Sequence, residues 1–134
     1  MQIGTCHVVY GEEVEGIQFD WGTIKFLSEP QVTGAQRFSF GAVVLAPGNG
    51  HERHNHSGCE EIIYVVSGEG QQMLDDQPAV TVRAGASIYI PAAVYHSTIN
   101  SGWEPLRLLV VYAPAGPERG LRDIPGCVVT PPER

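Results

Sequence analysis

No stretch of this 134-residue chain runs longer than ten residues without a glycine or a proline, and the longest is Ala92 to Ser101. Sixteen glycines and ten prolines punctuate the rest. Proline removes a helix hydrogen bond and glycine adds conformational entropy to be lost, so helices of about 12 residues, the length at which they begin to hold alone, find no room. No window shows sustained apolar spacing at i, i+3, i+4 and i+7. Short β-branched and aromatic runs between turns recur instead. They predict strands at Gly22–Leu27, Arg37–Leu45, Arg53–Asn55, Glu61–Ser67, Gly70–Leu74, Ala79–Val82, Ser87–Ile90, His96–Asn100 and Leu106–Tyr112. Many short strands joined by Gly, Pro and Asp turns predict an all-β sandwich or barrel in a single domain.

Charge narrows the partners. Eight basic against fifteen acidic side chains leave a net charge of −7, and Lys25 is the only lysine. Phosphates are neutralised by clustered Lys and Arg, so nucleic acid and anionic membranes are excluded as main partners. The opening Met1–Thr5 lacks the basic and apolar regions of a signal peptide, and no apolar run approaches the ~20 residues of a membrane span. Cys6, Cys59 and Cys127 are an odd set without CxxC spacing, which predicts reduced thiols and a cytoplasmic location; a Cys6–Cys127 bridge remains compatible with the spacing. Pro114–Arg134 holds five of the ten prolines and is expected to form an extended tail packed on the barrel or a partner.

The chemistry concentrates in four residues. His54 and His56 stand at i and i+2, which on a strand sends both rings to one face with Cα atoms about 6.6 Å apart. Two imidazoles at that separation can converge on one cation. Glu61 opens an otherwise apolar strand, Glu61 to Val66, where a carboxylate is costly unless paired or ligating. His96 opens another strand just past a Pro91-Ala92-Ala93 turn. His7 and His51 read as ordinary surface or core histidines, with His51 at the rim of the site. Of the adjacent acids, alternation admits only one to the interior, and the spacing to the Gly68 turn selects Glu61 over Glu60.

Gly48, His54, His56, Glu61 and Gly68 form G-x5-H-x-H-x4-E-x6-G, and Gly85, Pro91, His96 and Asn100 form G-x5-P-x-A-x2-H-x3-N. Together these resemble the two motifs of the cupin superfamily, with Ala93 standing where the family usually has glycine. The resemblance implies a jelly-roll barrel (a double-stranded β-helix) spanning residues 1–134, with its core at about 35–113 and N-terminal strands and the Pro-rich tail flanking it. It also implies one divalent transition metal per chain, held by His54, His56, Glu61 and His96. The donor set favours Fe or Mn, and Ni, Zn and Cu also suit it.

Reaction and substrate are less constrained. The leading expectation is an oxygen-dependent oxidoreductase, dioxygenase-like, acting on a small organic acid, sugar or aromatic compound. The alternatives are a metal-dependent decarboxylase or isomerase, and a non-catalytic small-molecule binder. Gln72 and Thr98 are expected to point into the barrel as substrate-pocket residues, while Tyr64, Tyr89, Tyr95 and Tyr112 read mainly as core or interface aromatics. A homodimer is expected, on the ground that Phe38, Phe40, Val43 and Leu45 make an apolar edge needing cover.

Overall fold

A computed structural model describes residues 1–134. Twelve strands follow one another: β1 (Gln2–Ile3), β2 (Cys6–His7), β3 (Gly16–Phe19), β4 (Gly22–Ser28), β5 (Ser39–Leu45), β6 (Glu60–Ser67), β7 (Glu69–Leu74), β8 (Val80–Arg83), β9 (Ser87–Ile90), β10 (His96–Asn100), β11 (Leu106–Ala113) and β12 (Val128–Thr130). Two short helices, α1 (Pro30–Thr33) and α2 (Pro117–Leu121), interrupt them. The large antiparallel sheet runs β12-β3-β4-β5-β11-β6-β9, and a smaller one runs β10-β7-β8. Burial alternates along the strands as the pleat requires: Ile63 and Val65 of β6 face inward, Ile62, Tyr64 and Val66 outward. One core fills the space between the sheets, with Ile17, Phe26, Leu45 and Leu106 among its sealed side chains and Val82 of the small sheet joining it.

Most predicted strands lie where expected, and the departures have physical causes. Arg53–Asn55 forms no strand. Its segment lies along the free edge of β10, but only Gly50↔Ile99 and His54↔His96 are bridged. Four steps on one side match three on the other, so the extra residue breaks the ladder in the manner of a bulge. Gly50 is required there, because a Cβ would strike the Thr98 carbonyl.

The apolar edge expected at Phe38 to Leu45 does not exist. β5 sits between β4 and β11, and Val43 and Leu45 are buried in the core. Nor is the tail wholly extended: it carries α2, and β12 pairs with β3, so the large sheet reaches beyond residues 35–113. β3 and β12 were not anticipated. All three cysteines are free thiols, Cys59 buried. No helix is long and apolar enough to cross a membrane.

Candidate metal centre

Three elements bring the histidines together. The antiparallel bridge fixes His54 opposite His96, the two exchanging backbone hydrogen bonds of 3.0 and 2.8 Å. His56 follows two residues on, and the Ala93 amide donates to its carbonyl at 2.9 Å. The ring centroids of His54 lie 4.8 Å from His56 and 4.4 Å from His96. One ligand nitrogen from each of the three falls within 4.8 Å of the others. β6 contributes Glu61, which pairs with Tyr112 of β11 and Ile90 of β9 and is 4% exposed. Its Oε1 lies 3.3 Å from His56 Nε2 and 3.0 Å from His96 Nε2. Glu60 points out and accepts a hydrogen bond from the Tyr89 hydroxyl at 2.5 Å.

The donor atoms fit a divalent cation. His54 Nδ1 lies 2.9 Å from the Glu52 carbonyl and His96 Nδ1 3.0 Å from the Val94 carbonyl. A carbonyl only accepts, so each Nδ1 is the protonated nitrogen and each Nε2 keeps its lone pair for the centre. His56 Nε2, His96 Nε2 and Glu61 Oε1 are sealed from solvent, and their close approaches lack hydrogen-bond geometry. Sealed polar atoms without partners are rare in folded proteins, and one cation between them satisfies all three.

Electrostatics prepare that state at His54 and Glu61. Burial, reinforced by His51, His96 and His56, lowers the His54 pKa to about 4, so its ring is neutral at neutral pH. Burial also lowers the His51 pKa. For Glu61, burial pushes upward, but His56 and His96 outweigh it and bring the pKa down to about 2. Burial pulls His96 down, yet the Glu61 carboxylate prevails and raises it.

A cavity of about 960 Å³ opens over this cluster. His54, His56, Glu61 and Thr98 belong to its lining, with Ile24, Ile63 and Val110 as apolar wall. Phe19 and Trp21, stacked at 4.7 Å, stand at one side, with the Trp21 ring edge-on to His51 at 5.8 Å. A strap formed by residues 114–126 supplies a further part of the lining, including Leu121 and Ile124. Glu118 pins the strap: fully buried, its Oε2 accepts from Ser39 Oγ and from the Gly116 amide, each at 2.9 Å. Arg122 adds an ion pair to buried Glu29 at 3.0 Å.

Of the two expected pocket residues, Thr98 lines the cavity, while fully buried Gln72 stands behind it and accepts the Thr98 hydroxyl at 2.6 Å. Sequence reading missed the Phe19–Trp21 pair, it expected residues 114–126 as part of a tail packed on the barrel but not as cavity lining, and it left His51 as a rim residue although its ring lies 4.5 Å from His54. Two aromatics flanking Asp20 in a tight hairpin were the available signal for the first.

Comparison with known proteins agrees with this geometry. The cupin domain model matches residues 41–112. Polyketide synthase CurC from Streptomyces cyaneus is 30% identical over 117 residues, 87% of this chain and 75% of that protein. Among solved structures, the polyketide cyclase RemF from Streptomyces resistomycificus superposes with a TM-score of 0.71 at 25% identity, covering 81% of this chain and 79% of that one. An oxalate decarboxylase from Lactobacillus farciminis, solved as a formate complex, gives 0.70 at 27% identity over 77% of this chain and 32% of its own longer one. With both motifs, the fold and the family model in agreement, the chain belongs to the cupin family.

Proposed function

We propose that this protein is a metal-dependent enzyme that acts on a small oxygenated molecule by Lewis-acid chemistry. The observation that carries this reading is the convergence of three imidazoles and the Glu61 carboxylate beneath an open cavity. His54, His56, His96 and Glu61 would hold one divalent first-row metal, with Fe or Mn the best match to three nitrogens and one carboxylate oxygen. When bound, such an ion polarises a carbonyl or carboxylate oxygen and stabilises negative charge developing on the substrate. The protein does the rest. The Glu52 and Val94 carbonyls fix the tautomers of His54 and His96. Ile24, Ile63, Val110 and the strap exclude water from the reacting end of the cavity. The Phe19–Trp21 stack offers a flat apolar surface that orients a planar substrate.

The named relatives favour non-oxidative chemistry over the oxygen-dependent reaction expected from sequence: one is a cyclase and one a decarboxylase. Oxygen-dependent turnover is a second reading, because a first-row metal held by His54, His56, His96 and Glu61 could also supply redox chemistry. Turnover of 1,3-diketones, β-keto acids and phenolic polyketide analogues under argon by Mn- or Fe-loaded protein separates the two. The proposal expects product without dioxygen and lost on chelation. Stoichiometric oxygen consumption, with no product under argon, overturns it.

A further inference from the structure

Several polar side chains around the cavity are engaged within the protein, and those that are not, on Asp20, Trp21, Glu52 and Ser57, are exposed or half-buried. Arg53 donates to the Asp75 carbonyl and Asp76, Asn55 to the Ala93 carbonyl, and Thr98 to Gln72. Cys59 donates to the Glu60 and Pro114 carbonyls. Tyr112 differs. It is 5% exposed, it lines the cavity, and its hydroxyl makes no hydrogen bond within the protein. Nor is that oxygen sealed in, as Glu118 Oε1 is, so its residual exposure is to the cavity. The ring is held from two sides, edge-on to His56 with centroids 5.0 Å apart and against Phe26 at 6.1 Å. On its strand, Tyr112 sits directly across from Glu61. Tyrosine hydroxyls in apolar interiors normally find a partner, and a fixed ring that leaves its donor free has that partner supplied from outside.

We propose that Tyr112 is a substrate-binding residue whose hydroxyl donates a hydrogen bond to a substrate oxygen held beside the metal centre. The substrate would then present two neighbouring oxygens, one toward the cation and one toward Tyr112, as diketones, keto acids and catechols do. This rests on the metal reading above, and the test keeps the two apart. Catechol is titrated into Co(II)-loaded wild-type and Tyr112→Phe proteins, following the visible absorption of cobalt, with metal per chain and thermal midpoint measured on both. The substitution removes one oxygen and keeps the ring. Equal cobalt content, an unchanged midpoint and a five- to tenfold weaker catechol affinity in the variant support the proposal, the range expected for about one hydrogen bond. Affinities within twofold overturn it, as does a midpoint several degrees lower, which assigns the hydroxyl to structure. Cobalt uptake with no spectral response to catechol in wild type also overturns it while leaving the metal reading standing. Failure of wild type to take up cobalt brings down the metal reading and this inference together.

Discussion

At the residue scale, the centre depends on side chains held in unfavourable states. Ala93 adopts φ of 68°, the left-handed conformation that a Cβ disfavours by about 1–2 kcal/mol. The strain is localised where it matters, since the Ala93 amide holds the His56 carbonyl and its own carbonyl holds Asn55. Ala93→Gly relieves it, offset in part by the greater freedom of glycine in the unfolded chain. Thermal unfolding should show stabilisation of up to about 1 kcal/mol with metal content unchanged. His54 stores free energy differently. Its folded pKa, about 4, lies below the unfolded value of 6.5, so the unfolded state takes up a proton that the folded state refuses. Stability present above pH 6.5 is therefore lost as pH falls toward 4, and His51, also lowered, acts with the same sign. His96 is raised, so its contribution is complete below pH 6.5 and does not alter this window. Metal-free wild type should lose thermal stability steeply from pH 6.5 to 4, and His54→Gln should flatten that slope.

At the scale of elements, legibility followed pattern length. β5, β6 and β11 carry seven or eight residues of alternation or apolar run, enough to be read from sequence within two residues of their ends. β12 has only three residues and is defined by pairing with β3, a long-range fact with no local trace, while β3, four residues long, also pairs with β4 across the Asp20-Trp21 turn. The site was legible for the opposite reason. His54, His56, Glu61 and His96 are out of keeping with the apolar strands and turns around them, and their spacing survives without any knowledge of the fold. Tyr112 was not singled out, because an aromatic at an inward strand position looks like core until its hydroxyl is found free.

The strap's place beside the cavity was not legible because long-range contacts fix it, among them the Ser39–Glu118 hydrogen bond spanning 79 residues and the Arg122–Glu29 ion pair. Removing that donor with Ser39→Ala leaves a fully buried carboxylate short of a partner and should cost about 1.5–3 kcal/mol. Digestion with trypsin under native conditions should cut faster after Arg119 and Arg122, while metal content stays constant. Unchanged cleavage would show that the strap is held by other contacts.

At the scale of the whole molecule, the expected dimer has lost its original motive, since β5 is an interior strand, but another apolar surface takes its place. On the outer face of the large sheet, Tyr89, Ile62, Val111 and Phe40 lie in one row across β9, β6, β11 and β5, and Tyr64 and Leu109 in the next. Ile62, Tyr64 and Tyr89 are exposed. Contiguous apolar patches of this kind are uncommon on monomers. Light scattering at micromolar concentration should give twice the chain mass, and Ile62→Glu with Tyr64→Glu should return the monomer with the metal centre intact. A monomeric wild type contradicts this.

Three histidines and Glu61 are proposed to hold one divalent ion, and the neighbouring carboxylates on β6 offer the sharpest check. Glu61 is buried against His56 and His96, while Glu60 faces outward and binds the Tyr89 hydroxyl. Metal per chain is measured by elemental analysis on wild type, Glu60→Gln and Glu61→Gln, purified in parallel and passed over the same chelating column. Wild type and Glu60→Gln should each retain close to one ion, and Glu61→Gln should lose it, with affinity lower by tenfold or more. A wild type that binds no divalent metal, or a site emptied by Glu60→Gln and left filled by Glu61→Gln, would rule this ligand set out.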